Sequence, residues 1–105
     1  MQNKVFSLLG LATKAGETGS GEFVTENAVK KGKAFLVIVA TDASANTKKQ
    51  FDDMCRFYEV PVSHYGTKEE LGKAIGKEMR ASVVIYNEGF AKSMIKLLNK
   101  SEVVE

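Results

Sequence analysis

One cysteine, one proline and one histidine are all that this chain of 105 residues holds of those types. The lone Cys55 can close neither an internal disulfide nor a multi-cysteine zinc site, which agrees with a reducing compartment. Scarce proline beside 44% hydrophobic residues excludes a disordered or fibrous chain. Long apolar runs are missing too: the longest, 34–40, has seven residues, far short of a membrane-spanning helix. Neither sign of charge dominates. Fifteen Lys and Arg against 13 Asp and Glu leave +2, too little to bind nucleic acid through bulk charge alone. The start, Met1-Gln2-Asn3-Lys4, runs into apolar residues broken by Gly10 and Lys14 and has no small-residue cleavage pattern, so the expectation is a cytoplasmic protein. The length fits one domain, expected over 1–100, with 101–105 as a frayed tail.

Periodicity divides the chain into alternating elements. Val5, Leu8, Leu9 and Ala12 share a helical face and Gly16 stands just beyond them, which predicts a first helix over 2–15. Residues 17–20 leave room for a turn or a brief strand. Ser20 is the expected cap of a second helix over 21–31, closed by Gly32. Residues 34–40, apolar and β-branched without alternation, read as the central strand, covered on both faces. Phe51, Met54, Cys55 and Tyr58 follow the spacing of one buried face on a third helix that Pro61 ends. After a short strand over 62–65, Thr67-Lys68-Glu69-Glu70 has the capping-box form and opens a helix burying Leu71, Ala74 and Ile75 before Gly76. Residues 82–86 read as a further strand. Asn87 begins a last helix with Ala91, Met94, Ile95 and Leu98 on one face. The alternation predicts an α/β fold, a three-layer α/β/α sandwich around a mixed sheet of about four strands.

Little here points to catalysis. Gly16, Gly19 and Gly21 precede a helix and suit an anion at its N-terminus, but no Gly-Lys-Ser/Thr ending follows, and turn geometry accounts for them equally well. His64 sits in a predicted strand, where a hydrogen-bonded, partly buried histidine is as good a reading as a chemical one. Cys55 falls on an apolar helix face and reads as core. Asp52 and Asp53 are adjacent on a helix and point about 100° apart, so they form a solvated face and not one metal site. With no triad, metal cluster or converging acid pair, a binding protein without cofactor is expected in place of an enzyme. Lys30-Lys31-Gly32-Lys33 is the one local charge cluster, at a helix end where cations suit the dipole.

Several ordered motifs nevertheless carry a likeness. The stretch 8–16 (LLGLATKAG), then Gly21 to Gly32 with Ala28-Val29-Lys30-Lys31-Gly32-Lys33-Ala34, then Val37-Ile38-Val39-Ala40-Thr41-Asp42-Ala43-Ser44-Ala45-Asn46-Thr47, resemble the L7Ae/L30e ribosomal-protein superfamily. The likeness runs on through 66–77 and Asn87-Glu88-Gly89-Phe90-Ala91, and is strongest to the small bacterial branch of YlxQ type. The resemblance implies an α/β/α sandwich that binds RNA, classically kink-turns; structured RNA is the expected partner, with ribosomal RNA and the ribosome left open, and a monomer is expected. It implies contacts from the N-terminal end of the second helix, carried here by Gly19, Ser20, Gly21 and Glu22, with Lys14, Lys30, Lys31 and Lys33 supplying salt-dependent attraction.

Position by position the carry-over is uneven. Kink-turn binders of the family open this helix with Gly, any residue, Asn or Lys, then Glu or Gln, with Lys three residues later and a closing Gly eleven after the first. Gly21 and Gly32 keep that spacing, but Phe23 and Val24 stand at the polar positions and Asn27 at the Lys. A register moved to 19–22 brings Glu22 onto the signature and breaks the glycine spacing by two, so the unshifted register is preferred. A bidentate base contact contributes roughly 1–3 kcal/mol, so losing it removes about one to two decades of affinity. The family's second contact loop maps to 77–81, where Met79 can pack on a splayed base and Arg80 can stack or hold phosphate, unless the segment simply begins a strand. Phe23 suits base stacking if exposed, but phenylalanine more often lies inside, and a core or partly buried place is expected. An alternative to RNA binding is a protein-interaction module on the same fold, with Phe23 and Val24 as its apolar patch.

Overall fold

Residues 36–39 and 82–85 are almost wholly β-branched or leucine, and this composition places them at the middle of a sheet. The computed structural model describes residues 3–103. Its elements are α1 (Lys4–Lys14), β1 (Thr18–Ser20), α2 (Glu22–Lys30), β2 (Leu36–Val39), α3 (Ala45–Tyr58), β3 (Val62–His64), α4 (Lys68–Ala74), β4 (Ser82–Ile85) and α5 (Glu88–Val103). The strand order is β1-β4-β2-β3. β4 lies antiparallel to both β1 and β2, with Gly19 opposite Val84 and Val37 opposite Val84, whereas β2 and β3 run parallel across the α3 crossover. The sheet is therefore mixed, as expected, and β2 shares its centre with β4.

Every residue of β2 and β4 is buried, so both faces are covered. α1 packs on α4 and α5, α2 packs on α3, and the sheet lies between these two groups in a three-layer α/β/α sandwich. Leu9, Phe51, Leu71, Ile85 and Met94 are the large side chains sealed within it. At about 25 cal/mol per Å² of apolar surface, burial of such side chains is the main favourable contribution to the fold.

Local chemistry sets the element ends. Asn3 caps α1 by accepting from the Phe6 N–H at 3.1 Å, and its amide donates to the Tyr65 hydroxyl at 2.8 Å. The expected start at residue 2 lies outside the described residues. Ser44 caps α3, and α4 carries the full capping box of Thr67 and Glu70. α3 stops at Tyr58, ahead of Pro61, because Glu59 turns left-handed with φ 59°. Tyr58, expected on the buried face, is 41% exposed at the last residue of α3. The backbone of α5 is helical through Val103, across part of the segment expected as a tail, and 104–105 lie outside the described residues.

Cys55 is fully buried on α3, and burial, aided by the negative charge of Asp52, pushes its thiol up from 9.0 to about 11. Between those values the unfolded chain has released the proton that the folded chain keeps, so this group's contribution to stability falls as pH rises from 9 to about 11. Thermal melts across that range are expected to show a smaller loss of Tm for Cys55→Ala than for the unsubstituted protein, and a thiol reagent is expected to react only on unfolding.

Candidate nucleic-acid interface

The entry into α2 is built on Gly21. Its φ of 95° with ψ of 158° is a combination essentially confined to glycine, and it turns the chain from β1 straight into the helix. The Gly21 N–H donates to the Ser82 carbonyl at 3.1 Å. One turn on, the Thr25 hydroxyl meets the Ser82 hydroxyl at 3.1 Å, with both residues sealed from solvent. α2 is thereby fixed to the first residue of β4 by two polar contacts where no water competes.

Ser20, expected to cap α2, does not. It belongs to β1, Gly21 takes the capping position, and no side chain accepts from the first turn. The amides of Glu22, Phe23 and Val24 therefore leave the helix end without an intrahelical acceptor. Ser20 is engaged elsewhere: its hydroxyl accepts from Arg80 Nε at 3.1 Å. Arg80 also donates from Nη1 to the Met79 carbonyl at 3.0 Å, and its backbone N–H donates to the Lys68 carbonyl at 3.0 Å. The 77–81 segment is thus a connection between α4 and β4, docked beside β1. That docking needs Gly72, because a Cβ there would run into the Glu78 carbonyl.

Two clefts result. The first, about 510 Å³, is lined by Thr13, Thr18, Gly19, Ser20, Val24, Ile75, Lys77, Arg80 and Tyr86. It joins the β1–α2 turn to the 77–81 connection, with Met79 exposed at 58% and Lys14 exposed one residue from Thr13. The second, about 720 Å³, is lined by Phe23, Val24, Asn27, Ala28, Lys31, Gly32, Lys33, Phe35 and Tyr86. Val24 and Tyr86 form the ridge shared by both. The Tyr86 hydroxyl and Val24 fill the space a Cβ on Gly19 would need.

The sequence-predicted residues are accordingly divided. Gly19, Ser20, Gly21, Glu22, Met79 and Arg80 gather at the α2 entrance. Lys30, Lys31 and Lys33 lie at the other end of a helix whose nine residues span roughly 13 Å at about 1.5 Å each. Lys30 is paired with Glu26 at 2.7 Å, a bond that raises its pKa, and it faces away from both clefts. Phe23, expected in the core, is 76% exposed, and Val24 is 40% exposed, because α2 presents Thr25, Ala28 and Val29 to the interior instead. Tyr86, Phe35, Thr13 and Thr18 were not legible as site residues. No motif marks them, and only long-range contacts place them: β1 pairs with β4 and sets Thr18 near Tyr86, Thr13 meets the Thr18 hydroxyl at 3.0 Å, and the Phe35 N–H donates to the Ile85 carbonyl at 2.9 Å.

Other expectations can be placed. His64 Nε2 lies 2.8 Å from Asp52 Oδ1, so Asp52 is not a purely solvated carboxylate: α3 and β3 bring the two together at the sheet edge. Asp53 faces solvent with Lys49 at 2.8 Å, and these contacts lower its pKa. Among the described residues no group of three or more His, Cys, Asp or Glu could hold a metal ion, and no helix is long and apolar enough to cross a membrane.

Comparison with known proteins converges on one lineage. The model of the ribosomal protein L7Ae/L30e/S12e/Gadd45 family matches residues 3–95. A Bacillus subtilis (strain 168) protein named RNA-binding protein YlxQ is 40% identical over 94 residues, covering 90% of this chain and 94% of its own. The Enterococcus faecium protein of that name is 38% identical over 97 residues, 92% of this chain and 93% of that one. Among solved structures, a Bacillus halodurans protein of unknown function superposes with TM-score 0.91 at 38% identity, over 93% of this chain and 99% of that chain. The Giardia lamblia 15.5kD RNA binding protein shares the fold, with TM-score 0.80 at 20% identity over 100% of this chain and 93% of its own.

Two substitutions are expected to separate the anchors of this region. Thr25→Val strands the buried Ser82 hydroxyl and is expected to lower unfolding free energy in urea by about 1–3 kcal/mol, part of which Ser82→Ala in the same chain restores. Gly72→Ala forces the 77–81 connection off α4, an overpacking expected to cost about 1–3 kcal/mol and to shift the Met79 and Arg80 amide resonances.

Proposed function

The chain belongs to the ribosomal protein L7Ae/L30e/S12e/Gadd45 family, and on that premise we propose that it is a non-enzymatic protein binding structured, kink-turn-like RNA. The observation that carries this reading is the Arg80–Ser20 hydrogen bond. It draws the 77–81 connection against the uncapped start of α2, so that Val24 of the first helical turn, Lys77 and the Arg80 guanidinium line one cleft, with Met79 exposed on the same connection. Amides at a helix N-terminus suit phosphate oxygens, and Lys14, Lys77 and Arg80 add positive charge around them. Met79 offers an apolar surface to a splayed base. With Phe23 and Val24 at the polar reading positions, recognition proceeds through backbone shape and phosphate more than through base edges. We place the protein in the cytoplasm, as a monomer on ribosomal or ribosome-associated RNA. This reading is supported by the name RNA-binding protein that its Bacillus and Enterococcus relatives carry.

A second reading rests on the 76% exposure of Phe23 beside Val24, which suits an apolar protein contact. Salt separates the two. Three cations on three phosphates give a log–log slope of about −2.7, so RNA affinity is expected to fall roughly 40-fold between about 50 and 200 mM salt. Titration of labelled kink-turn RNA and a straight duplex of equal length at both concentrations is expected to show this fall and tighter binding of the kink-turn. Equal binding of the two RNAs, or none, would remove kink-turn recognition, and a contact insensitive to salt would favour the protein reading.

A further inference from the structure

Beyond the α2 entrance lies the second, larger cleft, of whose lining the reading above uses only Phe23 and Val24. Two aromatic rings border it, Phe23 at 76% and Phe35 at 39% exposure, and with Val24 they gather exposed apolar surface into one cleft, as at binding sites. Asn27 contributes an amide that both donates and accepts, and Lys31 and Lys33 stand on its rim with no ion-pair partner among the described residues. Rings, an amide and two ammonium groups in one cleft of about 720 Å³ match the three parts of a nucleotide: a π-face, a polar edge and a phosphate.

We propose that this cleft holds an unpaired nucleotide of the bound RNA, its base against Phe23 and Phe35, its edge toward Asn27 and its phosphate near Lys31 and Lys33. The inference deepens the RNA-binding reading and rests on it. Base pairing and stacking within a duplex leave no free π-face, so the occupant is single-stranded. Two exposed lysines beside the rings attract phosphate, and this charge complementarity favours a nucleic acid as the occupant. Position agrees, because Val24 and Tyr86 border both clefts, so the second adjoins the first.

The test compares one kink-turn RNA with and without a single-stranded oligoadenylate extension, alongside free oligoadenylate followed by amide NMR. The extension is expected to raise affinity about tenfold, and free oligoadenylate to shift the Gly32 and Phe35 amides and the Asn27 side-chain amide. Phe35→Leu, which keeps apolar bulk and removes the ring, is expected to abolish the gain while leaving affinity for the unextended RNA unchanged. Phe35→Tyr is expected to retain the gain. If the unextended RNA binds but the extension adds nothing and these amides stay still, the inference fails, the RNA-binding reading stands and the cleft is left as a protein contact. If neither RNA binds, both fail.

Discussion

A pair of hydroxyls sealed from water holds in place the surface proposed to meet RNA. Thr25 on α2 and Ser82 on β4 are hydrogen-bond partners for each other, and the Ser82 carbonyl takes the Gly21 N–H. In a low-dielectric interior such groups are costly to part, so the first turn of α2 can neither rotate nor slide on the sheet without stranding a buried donor. The uncapped amides, the glycine turn and the ridge of Val24 and Tyr86 all inherit their positions from that constraint. The apolar side chains beneath α2 supply more energy but less direction, since hydrophobic burial does not by itself fix an orientation.

The second fixed point is the 77–81 connection. Its place follows from the absence of a side chain at Gly72, which admits the Glu78 carbonyl, and from the Arg80 guanidinium, which reaches back to Ser20. Five segments meet there, since α1, β1, α2, α4 and β4 each contribute a wall or an anchor. Residues on such a frame are held by their neighbours, and this preorganisation reduces the entropy lost on binding.

Electrostatics reinforce the division between the two ends of α2. The N-terminal end presents the positive side of the helix dipole with nearby Arg80 and Lys77, and the C-terminal end gathers lysines where the dipole favours cations. The Lys30–Glu26 pair engages one of these, and Lys31 and Lys33 stand beside the aromatic rings with no ion-pair partner among the described residues. A modest net charge of +2 thus conceals a surface with two separate basic patches.

What the sequence determined by itself was whatever depends on neighbours in the chain. The capping box of Thr67 and Glu70, the apolar runs of β2 and β4, the buried face bearing Phe51 and Cys55, and the layered α/β/α fold all follow from periodicity and local hydrogen bonding. The motifs 8–16 and 34–47 also sufficed to mark the family. Long-range partners decided the rest. Ser20 looked like a cap because the cap rule is local, but Arg80, sixty residues away, claims its hydroxyl. Phe23 looked like core because phenylalanine is usually buried, but the Thr25–Ser82 contact turns the opposite face of α2 inward. Asp52 meets His64 and Tyr86 meets Gly19 only through strand pairing and helix docking, which no local window of sequence encodes. Only the tertiary structure decided what lies beside the start of α2, because Arg80 and Tyr86 reach the β1–α2 turn through contacts between segments far apart in the chain.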